Sequence, residues 1–232
     1  MLTFVPALEA KGVRKVYRGL AEDVEALKGI DLLVEPGEFV AVMGPSGSGK
    51  TTLLNCLSGL DTIDEGQVRV EGVDIHALSD KALSKFRAMK IGFVFQSFNL
   101  IPEFSAVENV ELPLLLAGKS PAEARKSAVA ILEKLGMSKR LGHRPSELSG
   151  GEQQRVAIAR ALVSSPAIVW ADEPTGNLDS ENSKAVLRLL RHANSEGHTV
   201  VMVTHDREVA SVAKRLVQMR DGRILSDEPI TH

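Results

Sequence analysis

Gly44-Pro45-Ser46-Gly47-Ser48-Gly49-Lys50-Thr51-Thr52 stands between two apolar segments, Phe39-Val40-Ala41-Val42-Met43 before it and Leu53-Leu54-Asn55-Cys56-Leu57 after it. The first segment has the pattern of a strand buried on both faces. The second reads as the opening turns of a helix. The glycines between them let the backbone curl until successive N–H groups converge on one anion. The helix N-terminus adds the positive end of its dipole. Lys50 brings a mobile charge for the outer phosphates of a nucleotide, and the Thr51 hydroxyl can ligate Mg²⁺. The whole stretch, from Gly44 through Pro45, Ser46, Gly47, Ser48, Gly49, Lys50 and Thr51 to Thr52, is therefore a candidate phosphate-binding loop.

The rest of the chain is that of an ordinary water-facing globular protein. Its 232 residues suffice for one large α/β domain, with 44% hydrophobic and 25% charged residues. A formal net charge of −2 argues against a general nucleic-acid binder, and no nucleic-acid partner is expected. The single cysteine, Cys56, excludes an internal disulfide framework, and its apolar setting makes it a packing residue. No apolar run approaches the roughly 18 residues of a membrane span. Met1–Pro6 lacks the charged and apolar regions of a signal peptide.

Outward from the loop, strands and helices alternate. Leu8–Gly37 reads as antiparallel strands broken at Arg18–Asp23, with a turn at Glu35–Glu38. Gln67–Val70 is a further strand. Ser79–Lys90 is a short helix with Leu78, Ala82, Leu83, Phe86 and Met89 on one stripe. Ile91–Phe95 is an apolar strand ending at Gln96. Ser97–Gly118 reads as a loop with short helical pieces. Ser120-Pro121-Ala122-Glu123 opens a helix that Gly136 stops, and Ser149-Gly150-Gly151-Glu152 opens another running to about Val163. Apolar strands at Ala167–Ala171 and Thr199–Val203 end at Asp172-Glu173 and Thr204-His205. A helix over Ser180–Glu196 lies between them, with Val186, Leu187, Leu189 and Leu190 inward. Asp206 caps a last short helix, and the tail turns at Asp221-Gly222 and finishes polar. This alternation predicts an α/β fold with a mostly parallel, doubly wound sheet. In such a sheet the carboxyl ends of the strands share one edge, so Gly44, Gln96, Asp172-Glu173 and His205 can converge on one ligand.

The chemistry expected at that edge follows from residue type. A carboxylate at a strand end beside the phosphate loop can hold Mg²⁺, and a second can deprotonate an attacking water. Neighbouring strand residues point to opposite faces, so Asp172 is assigned to the metal and Glu173 to the base. The bland alternative is that one of them caps the turn before Pro174. The Gln96 oxygen can reach Mg²⁺ and His205 can contact a γ-phosphate, although on spacing alone a residue of either kind at a strand end is more often structural. His76, His143, His192, His198 and His232 have no metal-ligand spacing. Ser149-Gly150-Gly151 poses a different question. Two glycines in a first helical turn cost roughly 1 kcal/mol each in propensity relative to Ala. A plain cap needs neither, whereas bare backbone at a helix start suits an approaching anion.

Leu148-Ser149-Gly150-Gly151-Glu152-Gln153-Gln154-Arg155 resembles the signature motif of ATP-binding cassette (ABC) ATPases, and the likeness runs from about Leu8 to Ile224. Gln96 falls at the family's Q-loop, Ala167–Glu173 at its Walker B strand, Asn177-Leu178-Asp179 at its D-loop and His205 at its switch histidine. Tyr17 falls where the family stacks an aromatic ring on adenine. The resemblance implies the P-loop ABC-ATPase fold as a single ATP-binding domain over 1–232. Residues 1–38 and 61–75 would belong to an antiparallel β sub-domain, and 97–163 to an inserted α-helical sub-domain. It implies ATP and Mg²⁺ as cofactors, catalytic roles for Glu173 and His205, and metal contacts from Thr51, Gln96 and Asp172. It also implies a head-to-tail homodimer in which Ser149, Gly150, Gly151, Glu152 and Asp179 meet the ATP bound by the second copy.

Gly59-Leu60-Asp61, Val94–Pro102, Glu108–Pro113 and His143–Glu147 narrow the likeness to the lipoprotein-releasing and macrolide-efflux group (LolD and MacB type). The expected partner is an integral-membrane permease, met through the Ser97–Leu116 region. The expected location is the cytoplasmic face of the inner membrane, held peripherally, with the chain as a separate ATPase subunit. Regulatory cassettes of cell division or peptide sensing, and soluble ABC ATPases of translation or DNA repair, are the alternative functions.

Overall fold

The computed structural model describes residues 5–19 and 22–230. Residues 1–4, part of the Arg18–Asp23 break, and His232 lie outside the described residues. Two sheets organise the chain. A six-stranded sheet has the spatial order β10-β9-β3-β8-β7-β6, from β3 (Phe39–Met43), β6 (Ile91–Phe95), β7 (Ile168–Asp172), β8 (Val200–Thr204), β9 (Arg215–Arg220) and β10 (Arg223–Pro229). All its pairings are parallel except β9 with β10. A four-stranded antiparallel sheet is made by β1 (Leu8–Tyr17), β2 (Val24–Val34), β4 (Glu65–Val70) and β5 (Val73–Asp74), in the order β2-β1-β4-β5.

The period-two geometry of a strand explains the layering. In β3, Val40 and Val42 point to one side and Phe39 and Ala41 to the other, and each pair joins a different core. The first pair meets α1 (Lys50–Leu57) and the antiparallel sheet through Leu53, Leu57, Leu27 and Val68. The second meets the other helices through Val110, Leu132, Ile158 and Leu190. Those residues come from α3 (Ala106–Leu116), α4 (Pro121–Lys134), α5 (Gly150–Leu162) and α6 (Ser180–Ser195). The helices α2 (Asp80–Lys90) and α7 (Arg207–Ala210) complete the set. In α6, Val186, Leu187 and Leu190 are buried while Leu189 is only partly so. Among the described residues, no helix is long and apolar enough to cross a membrane.

The fold departs from the sequence reading at three places. Ser97–Gly118 contains a full three-turn helix, α3, opened by a capping box of Ser105 and Glu108. Its Pro113 and near-continuous apolar run hide the helical period. The segment after Ala213 turns at Asp221-Gly222 and ends largely exposed, as expected, but it is a β-hairpin whose first strand, β9, extends the parallel sheet beside β3. Thirdly, β7 does not lie beside β3. The strand β8 sits between them, because neighbours in a doubly wound sheet need not be consecutive in the chain.

Candidate functional site

The parallel register levels the strand ends. Met43 pairs with Thr204, Val203 with Asp172, and Asp172 with Phe95. The next residues, Gly44, His205, Glu173 and Gln96, therefore leave the sheet along one edge. A cleft of about 680 Å³ opens there, lined in part by Tyr17, Gly47, Lys50, Thr51, Glu173 and His205. Ser46, Gly49 and Thr52 also face it, whereas Gly44 and Pro45 line a neighbouring groove.

Close approach explains two of the loop glycines. A Cβ on Gly44 would lie 2.2 Å from the carbonyl oxygen of Met219. One on Gly49, whose φ is +96°, would lie 2.6 Å from that of Ala26. Lys50 is buried, and its Nζ donates to the carbonyls of Gly44 at 2.8 Å and Pro45 at 2.9 Å. The ammonium thus folds back over the loop, where phosphate oxygens are better acceptors than those carbonyls.

The two acidic neighbours at the end of β7 have separate surroundings. Burial raises the Asp172 carboxyl above the usual range, the adjacent Glu173 adds to the rise, and the Lys50 charge opposes it. Lys50 therefore acts on Asp172 even with β8 in between. Asp172 Oδ1 and Ser48 Oγ are both buried without a hydrogen-bond partner. Buried polar atoms rarely remain so, and oxygen donors of this kind suit a hard cation. Among the described residues no group of three His, Cys, Asp or Glu side chains could hold a metal by itself. The donor set therefore fits Mg²⁺ shared with phosphate oxygens rather than a cation caged by protein.

Glu173 has φ +45°, strained for a residue that precedes proline. Its carboxylate accepts from Thr204 Oγ1 at 3.2 Å and from the His205 backbone N–H at 3.1 Å, and lies 2.7 Å from His205 Nδ1. The partner Thr204 was not singled out from the sequence, where it reads only as the last residue of an apolar strand.

Gln96 turns toward the loop after β7 rather than into the cleft. Its Nε2 donates to Asn177 Oδ1 at 3.3 Å, and Asn177 Nδ2 returns a bond to the Gln96 carbonyl at 3.1 Å. Gln154 is another residue the sequence reading passed over. Fully buried on α5, it donates to the carbonyl of Pro174 at 2.5 Å, the residue after Glu173. Arg160, further along the same helix, donates to the carbonyls of Phe98 and Asn99, both at positive φ. Gln154 stands within the signature stretch Leu148–Arg155 but was given no role of its own, and Arg160 carried no local motif that would have marked it.

Ser149, Gly150, Gly151, Glu152 and Asp179 lie outside the cleft lining. Ser149 caps α5, and Glu152 reaches back to the Ser149 N–H at 2.9 Å while also pairing with Arg140 at 2.9 Å. Those bonds hold the Glu152 carboxyl down at about 2. Asp179 caps α6 and accepts from both the backbone and the side chain of Asn182. A Cβ on Gly151 would lie 2.2 Å from Asn182 Oδ1. A plain cap needs no glycine here, but α6 does: it approaches Gly151 too closely for a side chain. Cys56, by contrast, is wholly buried, and burial pushes its thiol up to about 12, as a packing residue requires.

A doubly wound sheet with a glycine loop, a lysine and a strand-end carboxylate at one edge defines a P-loop nucleotide-binding protein. The family model described as "ABC transporter" matches residues 27–176, and the chain belongs to that family. It is an ATP-binding cassette. The macrolide export ATP-binding/permease protein MacB of Marinobacter nauticus is 49% identical over 222 residues, which are 96% of this chain and 34% of that protein. The pyoverdine export ATP-binding/permease protein PvdT of Pseudomonas entomophila is 49% identical over 223 residues, with the same shares. The chain thus spans about a third of the length of these curated relatives. Among solved structures, the ATP-binding cassette MJ0796, a dimer in a post-hydrolysis state bound to ADP and Pi, superposes with a TM-score of 0.88. It is 44% identical, and the match covers 97% of this chain and 99% of that one.

Proposed function

We propose that the chain hydrolyses ATP as the cassette of a transporter of the lipoprotein-release or efflux type, and that two copies close around the nucleotide to move a membrane permease. The observation that carries this reading is one cleft holding both the Lys50 cradle and the Glu173–His205 pair. Phosphates would take the place of the Gly44 and Pro45 carbonyls as partners of Lys50, with the loop N–H groups around them. Glu173 would take the proton of the attacking water. His205 and Thr204 hold its carboxylate in position, and His205 would also meet the γ-phosphate. Thr51 and Asp172 would hold Mg²⁺, joined by Gln96 once its side chain leaves Asn177, and the metal's charge would offset that developing on the phosphate oxygens.

The domain division into a β part over 1–38 and 61–75 and a helical part over 97–163 belongs to this reading. So do the contacts of Ser149–Glu152 and Asp179 with ATP of the second copy. That MJ0796 was solved as a dimer supports them. The permease reading draws support from an apolar groove of about 470 Å³ lined by Phe93, Phe95, Leu112 and Leu116, beside the Ser97–Leu116 segment. The export relatives, which carry a permease in their names, support it too. On this reading the chain works at the cytoplasmic face of the inner membrane.

The test is steady-state phosphate release by the purified chain, with light scattering of the same sample with and without Mg-ATP. ATP-dependent dimerisation together with turnover is the expected result. Turnover from a species that stays monomeric at all ATP concentrations would rule out the two-copy site.

A further inference from the structure

The segment Gly59-Leu60-Asp61, one of those that carry the resemblance to the lipoprotein-releasing and macrolide-efflux group, also has a structural task. In the fold it follows α1, the helix whose first turn carries Lys50 and Thr51. Gly59, at φ +70°, reverses the chain there, and the N–H groups of Leu60 and Asp61 both return to the carbonyl of Asn55, at 2.8 and 3.0 Å. This turn carries Asp61 back to the end of β1. Its Oδ2 accepts from the phenol of Tyr17 at 2.8 Å, and its Oδ1 accepts from Lys15 Nζ at 2.9 Å. Lys15 and Tyr17 are two apart on one strand and so share a face. Lys15 is 7% exposed, and its ammonium stands over the Tyr17 ring, 5.1 Å from the centroid. That is cation–π range. Tyr17 is 41% exposed and borders the cleft.

Tyr17 is therefore fixed at its hydroxyl by a carboxylate and covered by a cation, with its remaining exposed surface toward the nucleotide cleft. We propose that Asp61, together with Lys15, is a brace that fixes the plane of the Tyr17 ring for stacking on the purine base, which makes Asp61 a positioning residue for nucleotide binding. The inference rests on reading Tyr17 as the base platform. It also gives α1 a second task. One end of the helix sets the phosphates and the turn beyond the other end sets the base platform, so the helix spaces the two halves of the nucleotide site. A ring already locked in its plane loses little freedom when the base arrives, and preorganisation of this kind improves affinity rather than turnover.

Four variants of the full chain test it: Asp61→Asn, Tyr17→Phe, their combination, and Tyr17→Ala. Losing one charge-assisted hydrogen bond and the order it imposes is expected to raise the KM for ATP about fivefold. Asp61→Asn and Tyr17→Phe should show that rise equally, with kcat retained, and the combination should go no further. The chain has one tyrosine, so its phenol can be titrated by ultraviolet difference absorbance without assignment. Burial and the Asp61 bond raise that phenol, and Asp61→Asn should ionise at lower pH than the parent. If Tyr17→Ala weakens ATP binding while Asp61→Asn and Tyr17→Phe leave KM unchanged, the brace is overturned and the platform stands. If Tyr17→Ala itself leaves KM unchanged, the platform reading falls and takes the brace with it. A lower melting temperature with unchanged KM in Asp61→Asn also overturns the brace, leaving Asp61 as the counter-ion of buried Lys15. Should Asp61→Asn fail to fold, Tyr17→Phe removes the same bond from the exposed partner and decides the question.

Discussion

His205 holds the Glu173 carboxylate with both its backbone and its ring: Oε1 accepts the backbone N–H at 3.1 Å and lies 2.7 Å from Nδ1. An ionised carboxylate only accepts, so the proton of the second bond belongs to Nδ1, and Nε2 can meet a γ-phosphate oxygen only when it carries a proton as well. Glutamine at position 173 keeps an oxygen for both bonds but cannot take a proton from water. Glu173→Gln should therefore retain ATP affinity, lose roughly 10²–10⁴ in turnover, and accumulate the ATP-bound dimer. Phosphate release and light scattering check this, and turnover within a few-fold of the parent would show that Glu173 is not the base.

Gly151 has two separable reasons to be glycine. One lies within the chain, where a Cβ would meet Asn182 Oδ1 at 2.2 Å. The Asn182 side chain is tethered to Asp179 at 2.7 Å, so it can move aside only by breaking that bond. Gly151→Ala should thus forfeit the roughly 1 kcal/mol of helix propensity that alanine would otherwise gain, and be no more stable than the parent in a denaturant titration. In an Asn182→Ala background the remaining contact, with the Asn182 Cβ, is an ordinary 3.4 Å, and the alanine should instead stabilise by roughly 1 kcal/mol. The second reason is the proposed approach of the second copy's phosphate. If it holds, the double variant stays stable yet loses ATP turnover. Full turnover in the double variant would leave only the first.

The capping box that opens α5 should be visible in acid. Glu152 is held near 2, chiefly by its bond to Arg140 and then by the Ser149 N–H. A depressed carboxyl contributes its stability above the pKa of the unfolded chain, near 4.5, and loses it as pH falls toward 2. With the side chain 28% exposed, the contribution at neutral pH is about 1–2 kcal/mol after allowance for solvent screening. Glu152→Gln should therefore be less stable than the parent at pH 7, with the gap closing between pH 4.5 and 2 in thermal melts. A gap independent of pH would assign the loss to capping geometry alone.

The parts of this fold that were legible share a property: a local signal strong enough to stand without its neighbours. The strand before Gly44, the capping boxes at Ser120 and Ser149, and the stop at Gly136 all require only residues within a few positions. The four strand ends could be matched to one edge because parallel strands align their carboxyl ends. What the residues alone left hidden depends on contacts distant in the chain. The insertion of β8 between β3 and β7, the pairing of β9 with β3, and the return of Asp61 to Tyr17 have no local signature. The same holds for Gly151. Its absent side chain looked unnecessary for a cap because the obstacle, Asn182, stands on another helix.

Asn109 lies in the segment whose sequence reads as a loop with short helical pieces, and it offers the sharpest stability test. It is fully buried on α3, a helix whose apolar run and Pro113 suggested irregular structure. Its Oδ1 accepts from the Ile101 N–H at 2.8 Å, and its Nδ2 lies 3.1–3.2 Å from the carbonyls of Ile101, Phe104 and Ser105. One amide thus serves the backbone of the turn that leads from β6 into α3. Alanine at this position leaves the Ile101 N–H and the Phe104 carbonyl without their partner, while the carbonyls of Ile101 and Ser105 keep the backbone N–H groups of Phe104 and Asn109; each group left unpaired costs about 1–3 kcal/mol unless water enters. Asn109→Ala should therefore lose about 2–4 kcal/mol, read as a lower urea midpoint with the slope unchanged. Asn109→Asp keeps the acceptor for Ile101 but has no N–H for the three carbonyls and buries a charge, so it should be no more stable than alanine at neutral pH. If either variant unfolds at the parent's midpoint, the amide is not what holds this turn.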